Sequence, residues 1–310
     1  MKNDFFPIFI PSYHRANNCK TAHFFIEQVG WPSDKIHIFI DSEADDSAAY
    51  ERLCKRLKCN LHIFDMNEAR RRFDYVHRAS VSRRSAGQAR NMFHDFAIKN
   101  NIDFFMVQDD DTQNYWERWL GIERVCPVEI VKKSFLLVRD FMTKRKIGLF
   151  GLSQQGEIMG ITDTKLLRKK VMNTTFYLMP YVYRGEKGVQ NNDTSQFVNA
   201  LNEGYFTGSF RYGVVLMQMA SATQKGGLTD LYKECKLLNK GLVPAIQFPS
   251  AIRCEKQKSN GGRLHHKINY RYLAPCILKN EGGRSNIAWD TYPEDVPFSC
   301  EPKQRNYVLN

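Results

Sequence analysis

Over the first 115 residues, short apolar runs alternate with segments of helical periodicity, and this pattern constrains the fold more than any other feature of the chain. The runs are FPIFIP (6–11), KIHIFID (35–41), LHIFDM (61–66) and DFFMVQ (103–108). Continuous apolar character over so few residues predicts strands buried on both faces. Between them, residues 21–29 suit a helix, and 45–58 carry Tyr50, Leu53, Cys54 and Leu57 at helical spacing. Ser85 to Lys99 places Ala89, Met92, Phe93, Phe96 and Ala97 on one helical face. Strand–helix alternation predicts an α/β fold, a mainly parallel sheet with helices on both sides. Ligands of such sheets bind beyond the carboxyl ends of the strands. Three ends here are polar: Ser12–Tyr13–His14–Arg15, Asp41–Ser42–Glu43 and Asp109–Asp110–Asp111. No GxGxxG follows the first strand and no GxxxxGK[ST] occurs, which argues against a dinucleotide oxidoreductase and a P-loop NTPase.

Beyond residue 115 the pattern changes. A helix is expected over 128–142, strands over 148–156 and 175–185, and a buried strand over 212–220. VQNNDTSQFVNALNEGY (189–205) reads as an amphipathic helix with Asp193 at its N-cap and Gly204 as its stop. From about 225 the chain turns Gly-rich, basic and less periodic. We expect a catalytic body over 1–224 and a basic segment, 225–310, that packs on it and contributes to acceptor and diphosphate binding. No segment reaches the apolar length of a membrane helix. The eight cysteines include no CxxC pair, so reduced thiols and a cytoplasmic protein are expected.

The three consecutive aspartates require a partner. Asp109 and Asp111 point the same way if the strand continues, so this D-x-D pair can hold a hard divalent ion, Mn²⁺ or Mg²⁺, which in turn bridges to phosphates. The competing reading is a solvated acidic turn. The chain also carries 45 basic against 33 acidic residues, a net charge of +12, which suits a polyanionic partner. Arginines 70, 71, 72, 78, 83, 84 and 90 form one cluster, and residues 253–284 form another. Interleaved Phe73, Tyr75, Tyr270 and Tyr272 would suit a DNA duplex and an extruded base, against the alternative of a solvated basic face. Lys225, in ATQKGGL, is a candidate to neutralise a leaving diphosphate, against the alternative of an ordinary mobile surface loop.

IPSYHRA after the first strand, SAGQARN opening a helix, FMVQDDD after a later strand and NNDTSQFVNALNEGY beyond it together resemble a GT-A-fold glycosyltransferase that uses nucleotide sugars. Within that fold the chain is most similar to the DNA-base glycosyltransferases linked to thymine and 5-methylcytosine dioxygenases. Some phage members attach a sugar, arabinose in some cases, to 5-hydroxymethylcytosine. The resemblance covers roughly residues 1–230.

It implies that Pro11, Ser12, Tyr13 and Arg15 contact the nucleoside and its phosphates, with Asp41 near the uracil or ribose. Ser85, Gly87, Arg90 and Asn91 would wall the nucleotide pocket, and Asp110 would join it. A third metal ligand is expected late in the chain, His265 or its neighbour His266. Asp193 stands where inverting members place the general base, although Asn192–Asp193 departs from their double-acid pattern. The resulting expectation is a metal-dependent transferase, hexosyl or pentosyl, moving a sugar from a UDP-sugar to hydroxymethylcytosine in double-stranded DNA. The rivals are a glycan or protein acceptor, a metal-dependent nuclease or nucleotidyltransferase, and a non-catalytic nucleic-acid binder.

Overall fold

The computed structural model describes residues 5–72, 86–119, 122–145, 147–152, 170–172, 174–179, 192–202, 207–210, 213–215, 242–256 and 264–269. Four strands open the chain: β1 (Ile8–Pro11), β2 (Ile36–Asp41), β3 (Asn60–Phe64) and β4 (Phe104–Val107). Next come β5 (Trp116–Trp119), β6 (Ile122–Val125), β7 (Leu149–Leu152), β8 (Thr175–Leu178), β9 (Thr207–Phe210) and β10 (Gly213–Val215). The helices are α1 (Lys20–His23, continued by a π-type turn over Phe24–Gln28), α2 (Ser47–Leu57), α3 (Met66–Arg72), α4 (Ala86–Lys99), α5 (Val128–Arg145), α6 (Asn192–Asn202) and α7 (Leu242–Gln247).

Among the described residues the main sheet has seven strands in the order β3-β2-β1-β4-β8-β7-β9. β3, β2, β1 and β4 run parallel, β8 is antiparallel to both its neighbours, and β9 is parallel to β7. This is the mixed, mainly parallel sheet expected of a GT-A fold.

Strand alternation sorts the apolar residues into two cores. Ile8, Ile10, Ile36, Ile38, Ile40, Phe104 and Met106 face one side, where α1, α2 and α5 supply Phe25, Tyr50, Leu53, Phe135 and Val138. Phe9, Phe39, Phe105 and Val107 face the other, where α3 and α4 supply Met66, Ala69, Ala89, Phe93 and Ala97. Phe9 lies within 4.7–5.6 Å, between ring centroids, of Phe39, Phe93, Phe96 and Phe105. At roughly 1.5–3 kcal/mol per fully buried side chain, these layers far exceed the cost of holding a few charges at the sheet rim.

The short elements differ most from expectation. The strand expected over 61–66 ends at Phe64, and Met66 instead opens α3, whose Arg-rich sequence hides a stripe of only Met66 and Ala69. β5 and β6 form a hairpin that β10 extends into a second, three-stranded antiparallel sheet. Helix α6 begins at Asn192, so Asp193 lies inside the first turn and is not its N-cap. Within the basic C-terminal region, β11 (Ile252–Lys256) and β12 (Leu264–Ile268) form an antiparallel hairpin. Ala251 and Ile252 are buried in the main core, and the buried ring of His266 meets Thr194 of α6 at 3.2 Å. No helix among the described residues is long and apolar enough to cross a membrane.

Gly151 of β7 is required by close approach. A Cβ there would overlap the Val171 side chain and stand 2.9 Å from the Thr174 carbonyl oxygen, which belongs to backbone and cannot swing away. Gly151→Ala is expected to cost about 1–3 kcal/mol, read as a lower denaturation midpoint at unchanged slope.

Candidate active site

Parallel pairing aligns β1 with β2 and β4, which brings the carboxyl ends of all three strands to one edge. The Ser12 amide donates to the Phe39 carbonyl at 3.0 Å and the Gln108 amide to that of Phe9 at 3.1 Å. Beyond these bonds the strands give way to the SYHR loop and the acidic turn.

Buried side chains fix the turn. Thr21, fully buried on α1, donates its hydroxyl to the Asp109 carbonyl and accepts the Thr112 amide at 2.9 Å; its own amide donates to the Asp110 carbonyl at 3.2 Å. Gln108 donates to Thr112 Oγ1 at 2.6 Å, and its carbonyl oxygen accepts from Tyr115 and Thr174 at 2.7 and 2.5 Å. A turn held by so many buried bonds is not a mobile solvated loop.

The three carboxylates are partnered differently. Asp110 is buried and both its oxygens are engaged: Oδ2 accepts from Ser12 Oγ at 2.6 Å and Oδ1 from Arg15 Nη1 at 2.7 Å. Asp109 accepts from Arg90 Nη2 at 3.0 Å. Asp111 has Arg15 at 3.7 Å from its Oδ2 and a bond to its own backbone amide, while its Oδ1 is buried without a hydrogen-bond partner among the described residues. Burial pushes the Asp110 carboxyl up, opposed by Arg15 and Ser12. Burial, then the charges of Asp109 and Asp110, raise Asp111 to about 6, with Arg15 pulling against them. Arg15 and Arg90 thus answer part of the repulsion, and Asp111 carries the remainder. A buried, unpartnered carboxylate oxygen beside a second carboxylate is an all-oxygen donor set that fits Mg²⁺ or Mn²⁺.

The other expected residues fall into three groups. Pro11, Ser12, Tyr13, Arg15 and Asp41 sit at the same edge, as do Gly87, Arg90 and Asn91, which come from the start of α4. Asp41 is buried and accepts the Glu43 amide at 2.9 Å. Asp193 forms an ion pair with Lys170. Ser85, Lys225 and the aromatic candidates Phe73, Tyr75, Tyr270 and Tyr272 lie outside the described residues, as do Arg78, Arg83, Arg84 and most of the basic stretch after Lys267.

The two histidines separate. His266 is buried and pairs with Thr194, whereas Nδ1 of His265 donates to the His266 carbonyl at 2.7 Å, which leaves Nε2 as its basic nitrogen. His265 does not join Asp109 and Asp111 in a compact cluster. Among the described residues, the one group of three donors within 4.8 Å of each other is His14, Asp45 and Asp46. It is largely exposed, and His14 adopts a left-handed conformation (φ 52°) there.

Sequence reasoning missed the groups that build the site from below: Tyr50, Thr21, Gln108 and Lys170. Tyr50 accepts the Arg15 amide at 2.9 Å and stands 2.7 Å from Ser12 Oγ. Its position in the stripe 50, 53, 54, 57 marks it as core, and only the polar tip of a fully buried Tyr hints at more.

A search of curated proteins returned no match. Among solved structures, the chain is similar to a mannosyltransferase from Pyrobaculum calidifontis in complex with GDP-mannose and Mn²⁺, at 12% identity and TM-score 0.48, over 76% of this chain and 63% of that one. It is also similar to residues 1–349 of TarS from S. aureus, at 12% identity and TM-score 0.41, over 69% and 60%. A third is glucosyl-3-phosphoglycerate synthase from M. tuberculosis, at 10% identity and TM-score 0.42, over 76% and 82%. The chain therefore spans less than two thirds of the first two. The sequence profile of a family described as TET-Associated Glycosyltransferase matches residues 6–227, and because this is well over half of the 310 residues, the chain belongs to the TET-associated glycosyltransferase family.

Proposed function

We propose that the protein moves a sugar from a UDP-sugar to the hydroxymethyl group of 5-hydroxymethylcytosine in double-stranded DNA, with Mn²⁺ or Mg²⁺ at the acidic rim. The observation that carries the donor half is the division of labour in the acidic triplet. Asp110 is consumed by Ser12 and Arg15, whereas Asp111 keeps a buried oxygen without a partner and a carboxyl raised to about 6. Such a residue is costly in the protein alone and is accounted for by a cation that the chain was built to receive.

Asp109 and Asp111 would hold the ion, which would supply positive charge to the departing diphosphate; His265, which stands outside their cluster, is not needed for this oxygen donor set. Arg15 and Arg90, already at the rim, would hold phosphate oxygens, with Ser85 and Lys225 as further contacts. Pro11, Tyr13, Asp41, Gly87 and Asn91 would surround the nucleoside. Asp193 would take the proton from the acceptor hydroxyl as its oxygen bonds to the anomeric carbon and the bond to UDP breaks. That in-line displacement inverts the anomeric centre.

DNA as the acceptor rests on the family's association with base dioxygenases, on the net charge of +12 and on the arginine and lysine clusters at 68–90 and 253–284. Of these, Arg71, Arg253, Lys256 and Lys267 are exposed. The reading is tested by incubating hydroxymethylated and unmodified DNA with a panel of UDP-sugars and Mn²⁺, then digesting to nucleosides for mass spectrometry. One UDP-sugar should add its glycosyl mass to hydroxymethyldeoxycytidine alone, with activity falling steeply as salt rises. Transfer to a glycan or peptide with none to DNA would overturn the acceptor, and strand cleavage without any sugar nucleotide would overturn the enzyme class.

A further inference from the structure

We propose that Tyr50 is a positioning residue for the donor: its buried hydroxyl locks the SYHR loop so that Arg15 and Asp110 stand ready for the UDP diphosphate. This rests on the donor reading above and extends it to a residue in the hydrophobic face of α2.

Proton counting fixes the direction of the network. The Arg15 backbone N–H can only donate, so Tyr50 Oη accepts it at 2.9 Å. Ser12 Oγ gives its one proton to Asp110 Oδ2 at 2.6 Å. The 2.7 Å contact between Tyr50 and Ser12 must then be a bond from the phenol to the serine oxygen. The chain runs from the Arg15 amide through Tyr50 and Ser12 to the Asp110 carboxylate. The Arg15 guanidinium closes the loop by donating from Nη1 to Asp110 Oδ1 at 2.7 Å. One residue is therefore tied through both its backbone and its side chain to the same carboxylate, and the phenol is the link between the two ties.

Helix α2 is a firm base for this. Tyr50 is fully buried, with Leu53, Cys54 and Leu57 beneath it on the same face, and the helix ends on a left-handed Lys58 (φ 55°). At its other end, Asp45 and Asp46 meet the ring of His14 at 3.0 and 3.5 Å. The helix and the two residues that lead into it thus touch three of the loop's four residues, Ser12, His14 and Arg15. Its hydroxyl contacts no substrate in this account and acts only through its neighbours. The benefit is preorganisation: an arginine already clamped in place loses little freedom when it grips a phosphate.

Tyr50→Phe removes the phenol oxygen and keeps the packed ring. Calorimetric titration with UDP and Mn²⁺, together with steady-state transfer assays, is expected to show about tenfold weaker UDP binding and a matching rise in donor KM, with kcat within about twofold of the parent. Ser12→Ala, which breaks the same chain one link further on, should show a similar loss, and the double variant little more than either alone. Ser12→Thr, which keeps the hydroxyl, should restore binding. A thermal melt sets the temperature below which each variant is folded, and Tyr50→Phe measured there decides the outcome, because Ser12 is itself read as a nucleotide contact. Unchanged UDP affinity in Tyr50→Phe or in Ser12→Ala, with the parent protein binding UDP, overturns this inference and leaves the donor reading standing. Losses that fully add in the double variant, or a fall in kcat at constant KM, also overturn it. Absence of UDP binding by the parent protein overturns both.

Discussion

Asp111→Asn is expected to lower sugar transfer at least roughly a thousandfold while making the metal-free protein more stable at neutral pH. The two effects have one cause. The carboxyl sits at about 6 because burial and the charges of Asp109 and Asp110 disfavour its ionised form. That lies above the ordinary carboxylate value near 4, so the folded protein holds this proton more tightly than the unfolded chain does. The stability tied to Asp111 is therefore fully present below about pH 4 and is lost as pH rises through about 6. At roughly 1.4 kcal/mol per pH unit, the ionised side chain costs on the order of 1–3 kcal/mol at pH 7.5 without a cation.

Asparagine keeps the shape and removes the charge. In EDTA the variant should melt a few degrees above the parent at pH 7.5 and at the same temperature near pH 4. Adding Mn²⁺ should raise the melting temperature of the parent far more than that of the variant. The loss of transfer follows from losing a ligand to charge stabilisation worth several kcal/mol in the transition state. Full activity in Asp111→Asn would end the proposal of a cation at this rim. A lower melting temperature at pH 7.5 would mean that Arg15, 3.7 Å away, already compensates the charge.

The parallel half of the fold was legible because β1, β2 and β4 are buried almost throughout, whereas β3, at the sheet edge, is only part-buried and leaves Ile63 exposed. Ile8, Ile10, Ile36 and Ile38 on one side and Phe9, Phe39 and Phe105 on the other leave only His37, half-buried in β2, to interrupt the run. β5, β6, β11 and β12 were not legible. WERW and IERV mix aromatic, aliphatic and charged residues, and LHHKI carries no clean alternation, so each depends on its partner strand and not on a pattern of its own. The same limit applies to the site. Strand ends announce themselves, because three carboxylates directly after FFMVQ have no place in a core. Groups that act from inside the core do not, and Tyr50, Thr21 and Gln108 read as packing until the hydrogen bonds are seen. The acidic triplet marks the intermediate case. Its location was readable, but the assignment of Asp110 to Ser12 and Arg15, and of Asp109 to Arg90, required the arginines to be seen folding back onto the rim.

Asp193→Asn is expected to reduce kcat by roughly 100- to 10,000-fold, the usual worth of a positioned general base, with UDP affinity unchanged. Asparagine accepts a hydrogen bond but cannot take the acceptor's proton, so the loss should fall on the chemical step alone. The ion pair with Lys170 sharpens the test. The carboxylate oxygen that meets the ammonium is occupied, so for Asp193 to take the acceptor's proton the lysine must turn away from it when the acceptor enters. Lys170→Met separates the roles. If the pair serves only to hold the start of α6, both substitutions should lower the melting temperature alike and leave kcat within about threefold of the parent. If Asp193 is the base, Asp193→Asn alone should lose the chemical step, and Lys170→Met should keep a substantial fraction of it. The anomeric configuration of the product, read by NMR, gives an independent check. Retention relative to the UDP-sugar would exclude a single displacement driven by Asp193 and return that residue to a structural role at the head of its helix.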